Sequence, residues 1–240
     1  SPLPGRINEL DKVLNTKSGK PLDNKERAVR VSFYITYAFL ITTATVTFIE
    51  AMRTSDSKIR HILNLETAIS VIAGYFYTQF INKIQNKELD YKEINLTRYV
   101  DWSITTPIML LVLCLVMVYN NNSKLTAKFF LFILILNYAM LAFGYMGETN
   151  MLNKDVGWVL GFVMFFLLYG VIYKTFLAGK YVFDNQIIFW SFVVFWLFYG
   201  VFYKTDEETK NVGYNVLDLF SKCFVGLFFW AYLTKVIVIF

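Results

Sequence analysis

Seven stretches of this chain are too apolar for water and long enough to cross a lipid bilayer. Runs with few or no charges occupy 31–49, 67–82, 102–123, 129–147, 156–173, 185–203 and 223–234. Lipid offers no hydrogen-bond partners, so a spanning backbone must satisfy its own groups as a helix or a closed barrel. A helical span needs roughly 20 apolar residues, and with their flanks these runs have that length. Barrel strands would alternate with period two, and these runs do not. At 56% hydrophobic and 17% charged residues, the 240-residue chain also lacks the charge to cover a water-soluble domain. The expected fold is an all-α membrane protein, a seven-transmembrane-helix bundle over 31–240.

Residues 1–30 are polar and carry charges of both signs. They lack the apolar core of a signal peptide and read as an N-terminal extension, in which INELDKVL can form a short amphipathic surface helix. Cys114 and Cys223 both fall inside spans, where a small buried apolar role outweighs a disulfide. One histidine, with no CxxC and no HExxH, leaves no basis for a metal site.

The connections set the orientation. The first, third and fifth, with the tail, carry Arg53, Lys58, Arg60, Lys124, Lys128, Lys174, Lys180 and Lys235 against few acids, whereas the others mix lysines with many carboxylates. The positive-inside bias puts the first set in the cytoplasm and the N-terminus outside. The net charge of +5 then faces anionic lipid, and no nucleic-acid partner is needed. FVMFFLLYGVIYKT (162–175) and FVVFWLFYGVFYKT (192–205) agree at 10 of 14 positions. Consecutive spans run antiparallel, so the shared YKT ends lie at opposite interfaces. An aromatic belt with a snorkelling lysine explains them without invoking function.

Five ionisable residues sit where lipid should not tolerate them: Glu66, Arg98, Asp101, Asp218 and Lys222. Charges inside a span are costly and default to functional candidates with partners. Asp101 lies eight residues past Glu93 and Asp218 eight past Lys210, so both carboxylates are roughly 12 Å in from the outer ends of their helices. Lys222 is one turn deeper than Asp218 on the same face. It lies 13 residues, about 20 Å, from Lys235 at the inner end, too far to snorkel. Arg98 is one turn outward from Asp101, and Thr105 one turn inward on the same face. A purely structural ion cluster is a poor explanation, because buried pairs stabilise weakly compared with apolar replacements. A desolvated lysine can instead form a Schiff base with an aldehyde. Once protonated, that cation needs carboxylates at its own depth, and Arg98 balances the second of them.

RYVDWSITTP (98–107) and DLFSK (218–222) resemble the microbial rhodopsins, seven-helix retinal proteins, and the match extends over 31–240. The resemblance implies all-trans retinal held by Lys222, with Asp101 as primary counter-ion and proton acceptor. Asp218 would be the second counter-ion, Thr105 the hydroxyl beside Asp101, and Arg98 the gate on the release side. Trp102, Thr106 and Met109 would line the polyene, Met109 at a colour-tuning position. Met140 and Gly144 would form the wall of the fourth span, with Asn137 where an acid is often found. Trp158 and Trp190 would be the aromatic clamp.

Three departures from the pump pattern stand out. The cytoplasmic donor, usually an acid eleven residues after the acceptor, is replaced by Val112. The usual Tyr and Pro of the sixth span fall on Val193 and Val194. Asp218 would thereby lose a hydroxyl partner and keep Tyr77, and the helix would lose its kink. The N-terminal extension has no counterpart. Glu66, about 9 Å from the inner end of the second span, is a candidate replacement donor, since burial favours a neutral carboxyl; an acid near interfacial water, paired with His61, is the competing reading. The helix-two acid, the absent donor and the compact loops look most like the rhodopsins of giant plankton-infecting viruses.

The leading expectation is a light-driven outward proton pump, a transporter with no enzymatic turnover. A light-gated cation channel, with Glu50 and Glu66 near the inner ends of their helices, and a photosensor are the alternatives. The family resemblance further implies a homo-oligomer, a trimer or pentamer, in the bilayer.

Overall fold

The computed structural model describes residues 4–17, 20–86 and 90–237. Helix α1 (Pro4–Asn15) leads into a two-residue antiparallel ladder, β1 (Thr16–Lys17) with β2 (Lys20–Pro21). Six long helices follow: α2 (Asn24–Arg53), α3 (Ser57–Asn86), α4 (Tyr91–Asn121), α5 (Ala127–Glu148), α6 (Lys154–Phe176) and α7 (Phe183–Phe202). The last span starts as α8 (Glu207–Asp218), passes through a π-helical turn over Leu219–Phe224, and ends as α9 (Val225–Leu233). Among the described residues, α2, α4, α5, α6, α7 and the combined Glu207–Leu233 span are long and apolar enough to cross a membrane. Helix α3 is as long as α2, 30 residues. It carries Asn64, Glu66, Gln79 and Asn82 among its apolar residues, and it completes the bundle.

The first long helix starts earlier than hydropathy suggests. NKERAVR is polar yet helical, because α2 at about 45 Å outreaches the hydrocarbon and its first two turns stand beyond it. Arg30 fastens the N-terminal segment there. Its guanidinium donates to the Val13 carbonyl (3.2 Å), the Ile84 carbonyl (3.0 Å) and Glu26 Oε1 (3.0 Å). The extension therefore docks where α2 begins and α3 ends.

Helix boundaries follow local chemistry. Asp90 caps α4 by accepting from the Glu93 amide (3.2 Å), and Asn122 ends it in the left-handed region at φ 50°. Asp206 caps α8; the Thr209 amide at 3.0 Å holds its carboxyl below the usual range. Pro107 has no N–H to give the Ser103 carbonyl, and the Tyr138 hydroxyl of α5 satisfies that oxygen instead (3.0 Å).

Two apolar clusters bracket the middle of the bundle. The larger, with Leu63, Leu113, Met117, Ile172 and Phe189, fills the half toward the α2–α3 connection. The smaller, with Val29, Phe33, Phe80 and Ile84, fills the other end beside α2 and α3. Helices α5 and α6 meet closely: a Cβ on Gly157 would lie 2.7 Å from the Phe143 carbonyl oxygen and 3.2 Å from Gly147 Cα. Both contacts are backbone and cannot swing aside. Gly157→Ala is expected to destabilise the bundle by about 1–3 kcal/mol. An unchanged midpoint in thermal unfolding followed by circular dichroism would disprove that packing.

Candidate functional site

Between the clusters, four buried charged residues from two helices meet. Lys222 Nζ lies 2.9 Å from Asp101 Oδ2 and 3.1 Å from Asp218 Oδ1. Arg98 Nη1 is 3.8 Å from Asp218 Oδ2. Two cations and two carboxylates cancel, which is what allows such a set to be buried. The π-helical turn carries Lys222 itself; such turns concentrate at functional positions because they re-aim a side chain. The turn's irregular backbone is supported from α2, where the Thr43 hydroxyl donates to the Cys223 carbonyl (3.3 Å).

The carboxylates differ in their surroundings. Asp218 accepts from two tyrosine hydroxyls, Tyr77 (2.7 Å) and Tyr199 (2.6 Å). Besides Lys222, Asp101 has among the described residues only a long contact from Thr105, whose hydroxyl donates at 3.4 Å to Oδ1 and at 2.9 Å to the Asp101 carbonyl. Arg98 is held by amides: Nε and Nη2 donate to Asn211 Oδ1 (3.2 and 3.0 Å) and Nη2 to Asn215 Oδ1 (2.6 Å). Its guanidinium carbon also lies 5.1 Å and 5.3 Å from the ring centres of Phe80 and Phe33.

A cavity opens beside Lys222. Trp102, Thr106 and Met109 of α4 line one side, Met140 and Gly144 of α5 and Trp158 of α6 another. Space is made by absent side chains: a Cβ on Gly144 would sit 2.8 Å from the Tyr99 hydroxyl oxygen, and one on Gly200 2.4 Å from the Phe162 ring. Trp158 Nε1 donates to the Gly200 carbonyl (2.7 Å), and Asn137 Nδ2 to Thr106 Oγ1 (2.8 Å). An apolar, aromatic-walled slot with an amine at its edge suits a long polyene aldehyde.

The sixth span corrects two expectations. Trp190 does not line the cavity; it points away from the core, 51% exposed, and Trp196 stands at the cavity instead, 7% exposed. The tyrosine sought at Val193 is Tyr199, so Asp218 keeps both hydroxyl partners, and Gly200 follows where a proline was sought. The whole register is displaced by six residues. FWSFVVFW contains two Phe-Trp pairs six apart, and a helix that is apolar on every side gives no sequence signal for choosing between them. Six residues turn the helix by about 600°, roughly 120° short of two whole turns, hence the change of face.

Glu66 is buried at 2% exposure, while His61 is exposed and makes no ion pair with it among the described residues. Val112 lies wholly inside the larger apolar cluster. Asn211 and Asn215 went unanticipated, although they continue the 218–222 stripe outward at helical spacing. Both cysteines are buried free thiols.

Six helices long and apolar enough to cross a membrane, with α3 beside them, make this an integral, multi-pass membrane protein with a buried lysine, paired carboxylates and an aromatic slot at its centre. The chain belongs to the bacteriorhodopsin-like protein family, whose model matches residues 27–236. That family comprises light-driven pumps and channels whose members bind retinal through a lysine. The chain is similar to the viral rhodopsin OLPVRII, at 50% identity over 88% of this chain and 99% of that one, with a TM-score of 0.82. The expected likeness to viral rhodopsins thus holds. Its fold is also similar to blue light-absorbing proteorhodopsin from Med12 (22% identity, 86% and 97% covered, TM-score 0.72) and to the proton pumping rhodopsin AR2 of the marine alga Acetabularia acetabulum (20%, 87% and 96%, 0.69). Among curated proteins, none is similar enough in sequence to match.

Proposed function

We propose that this protein is a light-driven outward proton pump with retinal attached at Lys222, its N-terminus extracellular and its copies assembled as trimers or pentamers. The observation that carries the reading is the asymmetric contact of Lys222 Nζ with a sparsely bonded Asp101 and a fully bonded Asp218. Bound retinal supplies a polyene whose light-driven isomerisation moves the attached nitrogen and weakens its hold on a proton. Asp101 Oδ2, at 2.9 Å, is the nearer acceptor for that proton, and Asp218 Oδ1 at 3.1 Å already accepts from Tyr199. Asp218, tied to Tyr77 and Tyr199, stays charged as the fixed counter-ion. Arg98, one turn outward, offsets the remaining negative charge and favours proton departure toward its side.

Resupply runs from the other side through Glu66. Gly226 is one turn inward of Lys222, and a Cβ there would meet Glu66 Oε2 at 2.9 Å and Thr43 Cγ2 at 2.8 Å. The missing side chain thus leaves space for the carboxyl against the lysine-bearing helix. Ser70, one turn along α3 from Glu66, has a buried hydroxyl with no partner among the described residues, which suits a water relay. Glu66→Gln is expected to slow reprotonation of the Lys222 nitrogen on the order of tenfold or more in flash photolysis. Gly226→Ala should do the same by displacing the carboxyl, and an unchanged photocycle in both would rule Glu66 out.

The pump itself is tested by illuminating cells that express the protein with added retinal. Acidification of the medium that a protonophore abolishes is expected. Photocurrents that reverse sign with voltage would establish a channel instead, and an absence of transport would favour a sensor.

A further inference from the structure

Outward of Arg98 lies a second buried ion cluster that the steps above leave unused. Lys210 on α8 is wholly buried, and its Nζ lies 2.8 Å from Glu207 Oε1 and 3.1 and 3.4 Å from the two oxygens of Glu148 at the end of α5. Asn95 on α4 ties the same acids together, its Nδ2 donating to Glu148 Oε1 (2.9 Å) and Glu207 Oε2 (2.6 Å). Asn95 Oδ1 accepts from Asn211 Nδ2 (3.2 Å), and Asn211 holds Arg98. An unbroken set of hydrogen bonds therefore joins the central site to the outer end of the bundle. Tyr203, at the end of α7, faces Lys210 and Lys154 of α6 with its ring, 5.9 Å and 5.2 Å from their ammonium groups.

This cluster spans the exit side, and its parts come from α4, α5 and α8. Parting a buried ammonium from its acids leaves charges uncompensated, so the clamp resists opening. A proton can be passed between oxygens while the helices stay together. A hydrated alkali cation has to separate Lys210 from both acids to get through. Transport by alternating access requires one side to be closed whenever the other opens. We propose that the Lys210–Glu148–Glu207 clamp, braced by Asn95, is the outer seal that passes protons and excludes alkali cations. The proposal rests on the pump reading.

Whole-cell voltage clamp of the full chain with retinal, under a sodium gradient, tests it. The unsubstituted protein is expected to give photocurrents of one sign at all voltages. Lys210→Met is expected to add a light-dependent leak whose current reverses sign and whose reversal potential moves when external sodium is changed. Lys210→Arg keeps the cation and should preserve one-signed currents, which a merely structural lysine would not require. Glu148→Gln, nearly the same shape as the acid, carries the test should Lys210→Met yield no coloured protein. One-signed currents in every coloured variant overturn the seal. Reversing currents in the unsubstituted protein overturn the pump reading instead, so the two failures are distinct.

Discussion

Lys222→Ala is expected to abolish visible colour entirely when retinal is added. Among the described residues no other lysine lines the cavity, and an aldehyde needs an amine within bonding reach to become attached. The substitution also removes the cation that faces Asp101 at 2.9 Å and Asp218 at 3.1 Å, leaving two buried carboxylates with Arg98 alone. Breaking a buried ion pair from one side costs about 3–5 kcal/mol, so thermal stability should fall as well. Lys222→Ala combined with Asp101→Asn should recover part of that stability while remaining colourless, which separates unfolding from loss of attachment. A visible absorption band surviving in coloured membranes of Lys222→Ala would place the attachment elsewhere.

Asp101→Asn is expected to reduce light-driven acidification at least tenfold while leaving the protein folded. The reason is the inequality between the two carboxylates. A proton on either oxygen of Asp218 would disturb the hydroxyl bond that oxygen accepts, from Tyr77 or from Tyr199, whereas Asp101 has the 3.4 Å contact of Thr105 to lose. An asparagine at 101 keeps the volume but cannot hold the transferred proton. Asp218→Asn should instead disturb colour and folding together, because the amide leaves one uncharged acceptor oxygen where Tyr77, Tyr199 and Lys222 share a carboxylate. Full acidification in Asp101→Asn, measured at matched expression and colour, would require a different acceptor.

The residues whose meeting could be read from sequence were those whose position is one-dimensional information. Asp101 and Asp218 could be matched in depth by counting, and Lys222 follows from the i,i+4 relation to Asp218, which survives the π-helical turn at 3.1 Å. Trp102, Thr106 and Met109 share a helix with Asp101, so their place at the cavity follows from its face. Trp190 and Val193 failed because α7 carries aromatic residues all round, and lipid accepts an outward tryptophan as readily as the core does. The outer clamp was missed for another reason. Lys210, Glu148 and Glu207 each read as an ordinary interfacial charge near a helix end, and only their convergence shows that the lysine is enclosed.

The sequence alone determined which segments are apolar enough to span a bilayer, how far along its helix each charge lies and which lysine is stranded far from a helix end. Those answers come from transfer energies and helical rise, which act residue by residue. The tertiary structure alone decided which face of each span turns inward, which tyrosine completes Asp218 and how the outer end is closed. In lipid both faces of a helix are apolar, so rotation is chosen by packing between helices, where no single segment carries the information.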